Sequence, residues 1–309
     1  MKLLTLALLC GTALSLSAAD KKIVLIAGSP SHGHLEHEHR AGCLLFQKCL
    51  SSVPGVNVIV SSNGWPKDPA VLEGADAVVV FCTGGNGHLL TDPRRRQALA
   101  PLMAKGVGFG TMHYGVEIPE SMGGQEFLQW QGGYFLTNWS VNPHWEANFT
   151  NLPNHEITRG VQPFKVRDEW YYHMKFAERG VTPILSAIPP DSTRGKPGAN
   201  STHGGNPEVQ KHKGEAETMV WAFDRPDGGR GFGFTGAHDH RNWANENFRK
   251  IGLNAILWIA KVPVPVNGVE CSVTADDIQL NLDPKGQKPK ALPALPKTEP
   301  FVSPTVPGK

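Results

Sequence analysis

Gly106-Val107-Gly108-Phe109-Gly110-Thr111-Met112-His113-Tyr114-Gly115 reads as a buried strand that turns sharply into a helix, with His113 at the turn. In open α/β sheets, side chains at such turns sit at the carboxyl edge of the strands, where ligands bind. A second run, Arg230-Gly231-Phe232-Gly233-Phe234-Thr235-Gly236, ends the same way in Ala237-His238-Asp239-His240. Two strands therefore carry imidazoles to one rim.

Working outward, Lys22 to Ala27 is a continuous apolar run closed by Gly28-Ser29-Pro30, the pattern of a strand covered on both faces. Glu38 to Leu50 has helical spacing, Val56 to Val60 and Ala77 to Phe81 read as strands, and a helix is expected from about Asp92 to Lys105. This βαβα rhythm predicts a mainly parallel sheet with helices on both sides. From Gln125 to Phe164 aromatic, polar and turn residues mix, which predicts an inserted lid or an irregular sheet extension. Residues 191–217 predict a long mobile excursion. Met219 to Phe223, the turn Pro226-Asp227-Gly228-Gly229 and Gly231 to Phe234 form a hairpin, and Asn247 to Ala260 an amphipathic closing helix. The α/β domain is expected over 20–265, with 266–309 an extended or disordered tail.

The first nineteen residues read as an export signal: Lys2 is charged, Leu3 to Leu16 is apolar, and Ser17-Ala18-Ala19 is small. The apolar stretch is short for a membrane span, and Leu9 before Cys10 is not the small residue of a lipoprotein signal, so a periplasmic or secreted protein is expected. Once Cys10 leaves, Cys43, Cys49, Cys82 and Cys271 remain. Cys82 reads as a strand-core thiol, Cys43 and Cys49 fall on different helix faces, and no disulfide framework is expected. A formal net charge of +2 gives no reason for a nucleic-acid or anionic-membrane partner. Gly84-Gly85-Asn86-Gly87 lacks the lysine of a phosphate loop and the spacing of a dinucleotide fingerprint, so no nucleotide cofactor is expected.

The 13 histidines carry the chemistry, four of them, His32, His34, His37 and His39, in one segment. Asp168-Glu169-Trp170-Tyr171-Tyr172-His173 adds acids and aromatics; if it is extended, Glu169, Tyr171 and His173 share a face. Glu117, four residues after His113, shares its face if a helix starts at the turn, and can orient the imidazole.

The order of these residues resembles the ThuA-like, trehalose-utilisation family, especially its exported bacterial branch, from about Lys22 to Lys261. The resemblance rests on Ser31-His32-Gly33, on Glu36-His37-Glu38-His39-Arg40-Ala41-Gly42, on Met112 to Glu117, on Asn142-Pro143-His144-Trp145, on Asp168 to His173, and on Gly231 to Trp243. It implies a flavodoxin-like three-layer sandwich similar to class I glutamine amidotransferases, with His113 where those enzymes hold a nucleophilic cysteine. An imidazole cannot form the usual thioester, so amidotransferase activity is not expected. The resemblance implies instead an enzyme of glycoside or 3-keto-glycoside breakdown, supplied by a partner sugar dehydrogenase. Catalytic roles then fall to His113, Glu117, Glu169, Tyr171 and His238, and substrate contacts to His39, His144, Trp145, Trp170, His173, His240 and Asn242. A divalent metal, zinc first, would lie on His32, His113 and His238. A non-catalytic sugar-binding domain and a metal-dependent ester or amide hydrolase are the alternatives.

Overall fold

The computed structural model describes residues 20–197 and 203–285; the expected export signal, residues 1–19, lies outside the described residues. Seven strands form the main sheet: β1 (Lys21–Ala27), β2 (Val56–Ser61), β3 (Ala77–Phe81), β4 (Gly108–Met112), β9 (Val181–Ala187), β10 (Glu217–Asp224) and β11 (Arg230–Phe234). Their spatial order is β2-β1-β3-β4-β11-β10-β9. The first five are parallel in the flavodoxin order, and β10 and β9 extend the edge antiparallel.

The apolar run of β1 divides by the two-residue period of a strand. Ile23, Leu25 and Ala27 pack with α1 (His39–Leu50) and α5 (Glu246–Ile259), while Val24 and Ile26 face α2 (Pro93–Ala104) and α3 (Gly124–Trp130). Each buried Leu, Ile or Phe in these layers contributes about 1.5–3 kcal/mol of transfer free energy.

The aromatic segment after α3 is not a lid. The short pair β5 (Gly133–Tyr134) and β8 (Lys175–Phe176) and the hairpin of β6 (His144–Phe149) with β7 (Phe164–Glu169) build it into the domain. Trp145, Phe149, Phe164 and Trp170 join the core with Phe234 and Phe248, because β6 and β7 alternate buried and outward-facing residues. The stretch expected as a mobile excursion carries a short helix, α4 (Pro207–Lys211), and a fully buried Arg194 that donates to the Val209 carbonyl at 2.9 Å.

Two expectations fail at the C-terminal side. Cys49 of α1 is bridged to Cys271, so there is a disulfide, whereas Cys43 and Cys82 stay free and buried. Residues 266–285 carry α6 (Ala275–Gln279) and bury Val269 and Ile278 against the domain. Sparse apolar residues among prolines hid this packing; residues 286–309 lie outside the described residues. At the end of the described segment the Lys285 ammonium sits 3.1 Å from the Glu38 carboxylate, both groups buried. Lys285 also donates to the carbonyls of Gly33, Glu36 and His37, and Glu38 accepts the Leu35 and Asp283 amides at 2.9 and 2.8 Å. The His32–Glu38 loop is thus held from below by a strap arriving from the far end of the chain.

Candidate functional site

Register brings the two expected imidazoles together. β4 and β11 pair in parallel with Met112 opposite Phe234, so the chain leaves both strands at one height. His113 adopts a left-handed backbone, φ 50°, and Ala237, before His238, another at φ 86°. Neither is glycine, so each costs of order 1–3 kcal/mol and persists only because its surroundings hold it. For His113 the hold is its own Nδ1, which donates to the Thr235 carbonyl at 2.8 Å. For Ala237 it is Asp168: the buried carboxylate accepts the amides of Ala237 at 2.6 Å, His238 at 3.1 Å, Asp239 at 3.2 Å and Glu169 at 2.8 Å.

The proton on His113 Nδ1 leaves Nε2 as a lone pair. It points at His37 Nε2, 3.0 Å away, which is 2.9 Å from His238 Nδ1. His238 Nδ1 is 2.9 Å from Glu169 Oε2, and His113 Nε2 is 3.4 Å from the same oxygen. One ligating atom from each of His37, His113, Glu169 and His238 lies within 4.8 Å of all the others. A tetrahedral zinc ion with ligands at roughly 2.0–2.1 Å would set them about 3.3 Å apart, so this donor set fits a divalent cation. Of the distal nitrogens, His113 Nδ1 has the Thr235 carbonyl as an outer-shell partner, while His238 Nε2 lies 3.9 Å from Glu36 Oε1, beyond hydrogen-bond distance. His37 Nδ1 is buried without a partner among the described residues.

Electrostatics favours the ligating protonation states of His37 and Glu169, whereas at His238 a proton would compete with a cation. Burial, reinforced by His113, His32 and His238, pushes the His37 pKa far down. Burial opposes ionisation of Glu169, but its close contacts with the His113 and His238 imidazoles hold its carboxyl well below the usual range. His238 moves up despite burial, because Glu169 hydrogen-bonds to it and attracts its charged form. The Tyr171 hydroxyl, 3.4 Å from Glu169 Oε2, is pushed well up by burial and by Glu169 and Glu117.

A family model described as "ThuA: Trehalose utilisation" matches residues 24–259. The chain belongs to the ThuA family. Two solved structures share the ThuA-like fold with it, each 14% identical. A putative ThuA-like protein from Bacteroides uniformis ATCC 8492 has a TM-score of 0.55, over 81% of this chain and 95% of that one. A putative ThuA-like protein from Parabacteroides merdae ATCC 43184 has a TM-score of 0.52, over 83% and 94%. No curated protein matches the chain. Among the described residues, no helix of this ThuA-family chain is long and apolar enough to cross a membrane.

The structure gathers only part of the expected set. His113, Glu169, Tyr171 and His238 converge, and half-exposed His144 stands at their rim, 3.9 Å from Glu169 Oε1. His32 is not in the four-atom group; it stacks on His37 at 3.6 Å, and His37 takes the place expected for it. Glu117 follows a single 3-10 turn, His113–Val116, rather than a helix, and its carboxylate meets His203 at 3.4 Å. Trp145 and Trp170 are core residues whose indoles donate to the Trp170 and Val166 carbonyls. Buried His39 bonds the Ser29 carbonyl, and Asn242 donates to the Arg167 carbonyl. His240 is buried and lies outside the four-atom group. His173 leaves the face of Tyr171 because its backbone turns left-handed at φ 58°; it pairs with Glu217 at 3.1 Å and stacks on Trp139. The sequence reading missed His37, visible only as one of four crowded histidines, and Asp168, whose role appears only once the Ala237 turn is folded.

Proposed function

We propose that this ThuA-family protein is an exported, metal-assisted enzyme that cleaves glycosides carrying a 3-keto group. The observation that carries the reading is the convergence of the His37, His113 and His238 ring nitrogens with the Glu169 carboxylate. On such a sugar the C2–H bond breaks to a base and its electron pair becomes a C1=C2 double bond conjugated with the C3 carbonyl. The C1–O bond breaks as the departing oxygen takes a proton. Water then adds, oxygen to C1 and hydrogen to C2, so the net change is hydrolysis and no oxidant is consumed.

A divalent ion on the four groups would supply a Lewis acid for the carbonyl oxygen. His32, whose pKa is lowered by burial and by His238 and His113, stays neutral near pH 7 and is a base at the rim. Tyr171, kept protonated, is suited to donate to an oxygen. The Cys49–Cys271 bridge supports export, because reducing compartments seldom preserve one.

The test is metal analysis of purified protein, followed by turnover of a 3-keto-glycoside with and without chelator. One bound divalent ion is expected, with release of a reducing sugar that chelator or His113→Ala abolishes. Turnover by fully metal-free protein overturns the metal assignment. Sugar binding without turnover in either state leaves a binding domain, and release of a carboxylic acid from ester substrates makes the protein a hydrolase of another class.

A further inference from the structure

Glu117 is 4% exposed, yet its Oε2 has no hydrogen-bond partner among the described residues. A buried carboxylate oxygen in that state forfeits a strong interaction unless a ligand supplies a donor. The surroundings suit one. The Gly84–Gly87 turn passes beside Glu117, and a Cβ on Gly85, φ 57°, would come within 3.3 Å of Glu117 Oε1 and 3.5 Å of the Tyr114 hydroxyl. Gly84 closes on Tyr114 so tightly that a Cβ there would lie 2.1 Å from the Tyr114 carbonyl oxygen. Glycine at both positions leaves no side chain between the loop and the Glu117 and Tyr114 oxygens while bringing the loop against the Tyr114 ring.

The corner is continuous with the cluster. Tyr114 meets His37 and His32 with ring centres 5.7 and 6.0 Å apart. Phe135 links the two sides from beneath, 5.4 Å from Tyr171 and 5.3 Å from His203.

We propose that Glu117, with the Tyr114 hydroxyl, forms a subsite for two neighbouring hydroxyls of a pyranoside and so fixes which sugar is presented to the cluster. The donor and acceptor balance selects hydroxyls. Glu117 Oε2 can only accept and the Tyr114 phenol can donate, and a hydroxyl does both whereas an ammonium only donates. Oε1 already has the His203 ring nitrogen as a neighbour at 3.4 Å, so Oε2 is the oxygen left for a ligand. Aromatic walls with a few placed polar groups suit a ring that is apolar on its face and polar at its edge.

The inference rests on the glycoside reading, and the experiment separates the two. Methyl α-D-glucopyranoside and its monodeoxy derivatives are titrated by NMR into wild-type protein, Glu117→Gln and Gly85→Ala. Glu117→Gln is expected to weaken the parent glycoside about ten- to hundred-fold, the size of one charge-assisted hydrogen bond. At least one deoxy derivative should be penalised in the wild type and not in Glu117→Gln, the signature of a lost pairwise contact. Gly85→Ala, which fills the corner and leaves the carboxylate in place, should weaken the parent too, and it decides the matter if Glu117→Gln fails to fold. Equal deoxy penalties in wild type and Glu117→Gln, or undiminished binding by Gly85→Ala, overturn the subsite while the glycoside reading stands. A wild type that binds none of these glycosides overturns the subsite, and turnover of a 3-keto-glycoside decides the glycoside reading separately.

Discussion

Replacing Asp168 by Asn keeps the shape of the side chain and removes its ability to organise the turn that presents His238. The four amides on this carboxylate divide between its oxygens: Oδ1 takes Glu169, His238 and Asp239, and Oδ2 takes Ala237 at 2.6 Å. In the amide variant one oxygen keeps its set, and the new NH2 group faces the Ala237 N–H, donor against donor. The loss is one charge-assisted hydrogen bond, about 1.5–3 kcal/mol, plus about 1–3 kcal/mol for a buried N–H left unpaired. A total of about 2.5–6 kcal/mol follows, and with it the left-handed Ala237 loses its hold. For a domain of this size class that corresponds to a melting temperature lower by roughly 5–24 °C. Because the same turn aims His238, zinc affinity should fall about 10–100-fold, as it does when an outer-shell partner of a metal ligand is removed. Calorimetry with a competitive zinc titration measures both. A variant with wild-type melting and wild-type zinc affinity refutes the claim that Asp168 holds the turn.

Acid should destabilise the metal-free protein. His88 uses both nitrogens as a neutral ring, Nε2 toward the Gly115 carbonyl at 3.1 Å and Nδ1 accepting the Leu90 amide at 2.9 Å, and burial lowers its pKa to about 3. His240 is lowered by burial to about 4. Because these folded-state values lie below the roughly 6.5 of an unfolded histidine, the unfolded chain takes up the protons. Their contribution is intact above that value and is lost as pH falls below it, about 2 kcal/mol per residue by pH 5. Urea midpoints of chelator-treated protein between pH 7.5 and 5 should fall steeply, less so in His88→Gln, and a flat profile would contradict the burial argument. Reducing the Cys49–Cys271 bridge, or replacing both cysteines by serine, should lower unfolding free energy by about 2–4 kcal/mol, since the bridge closes a loop spanning a sequence separation of 222. Equal denaturant midpoints with and without reductant would show that the bridge does not restrain the unfolded chain.

The parallel sheet was legible because β1, β3 and β4 are short apolar runs that end in glycine or at a turn, a pattern that local chemistry alone writes. His113 and His238 were legible for the same reason: each follows such a run. What the sequence hid depends on partners far along the chain. His37 looked no different from His32 until the loop between them was bent by left-handed residues at His32, Leu35 and His37. Trp145 and Trp170 resembled sugar platforms because indoles serve cores and ligands alike, and only their place in the β6–β7 hairpin makes them core. Cys271 sits among prolines and polar residues, so nothing local announced that it would reach α1.

The strap from Lys285 to the His32–Glu38 loop also sets an order of assembly. Synthesis runs from amino to carboxyl end, so every strand of the main sheet is laid down before Asp283 and Lys285 reach Glu38 and the carbonyls of Gly33, Glu36 and His37. A nascent or clipped chain lacking these few residues leaves the His37 loop held by its bonds to the His238 turn alone, without the Glu38 pair or the Lys285 donors. The rim of the candidate site therefore gains its last contacts after the sheet is complete.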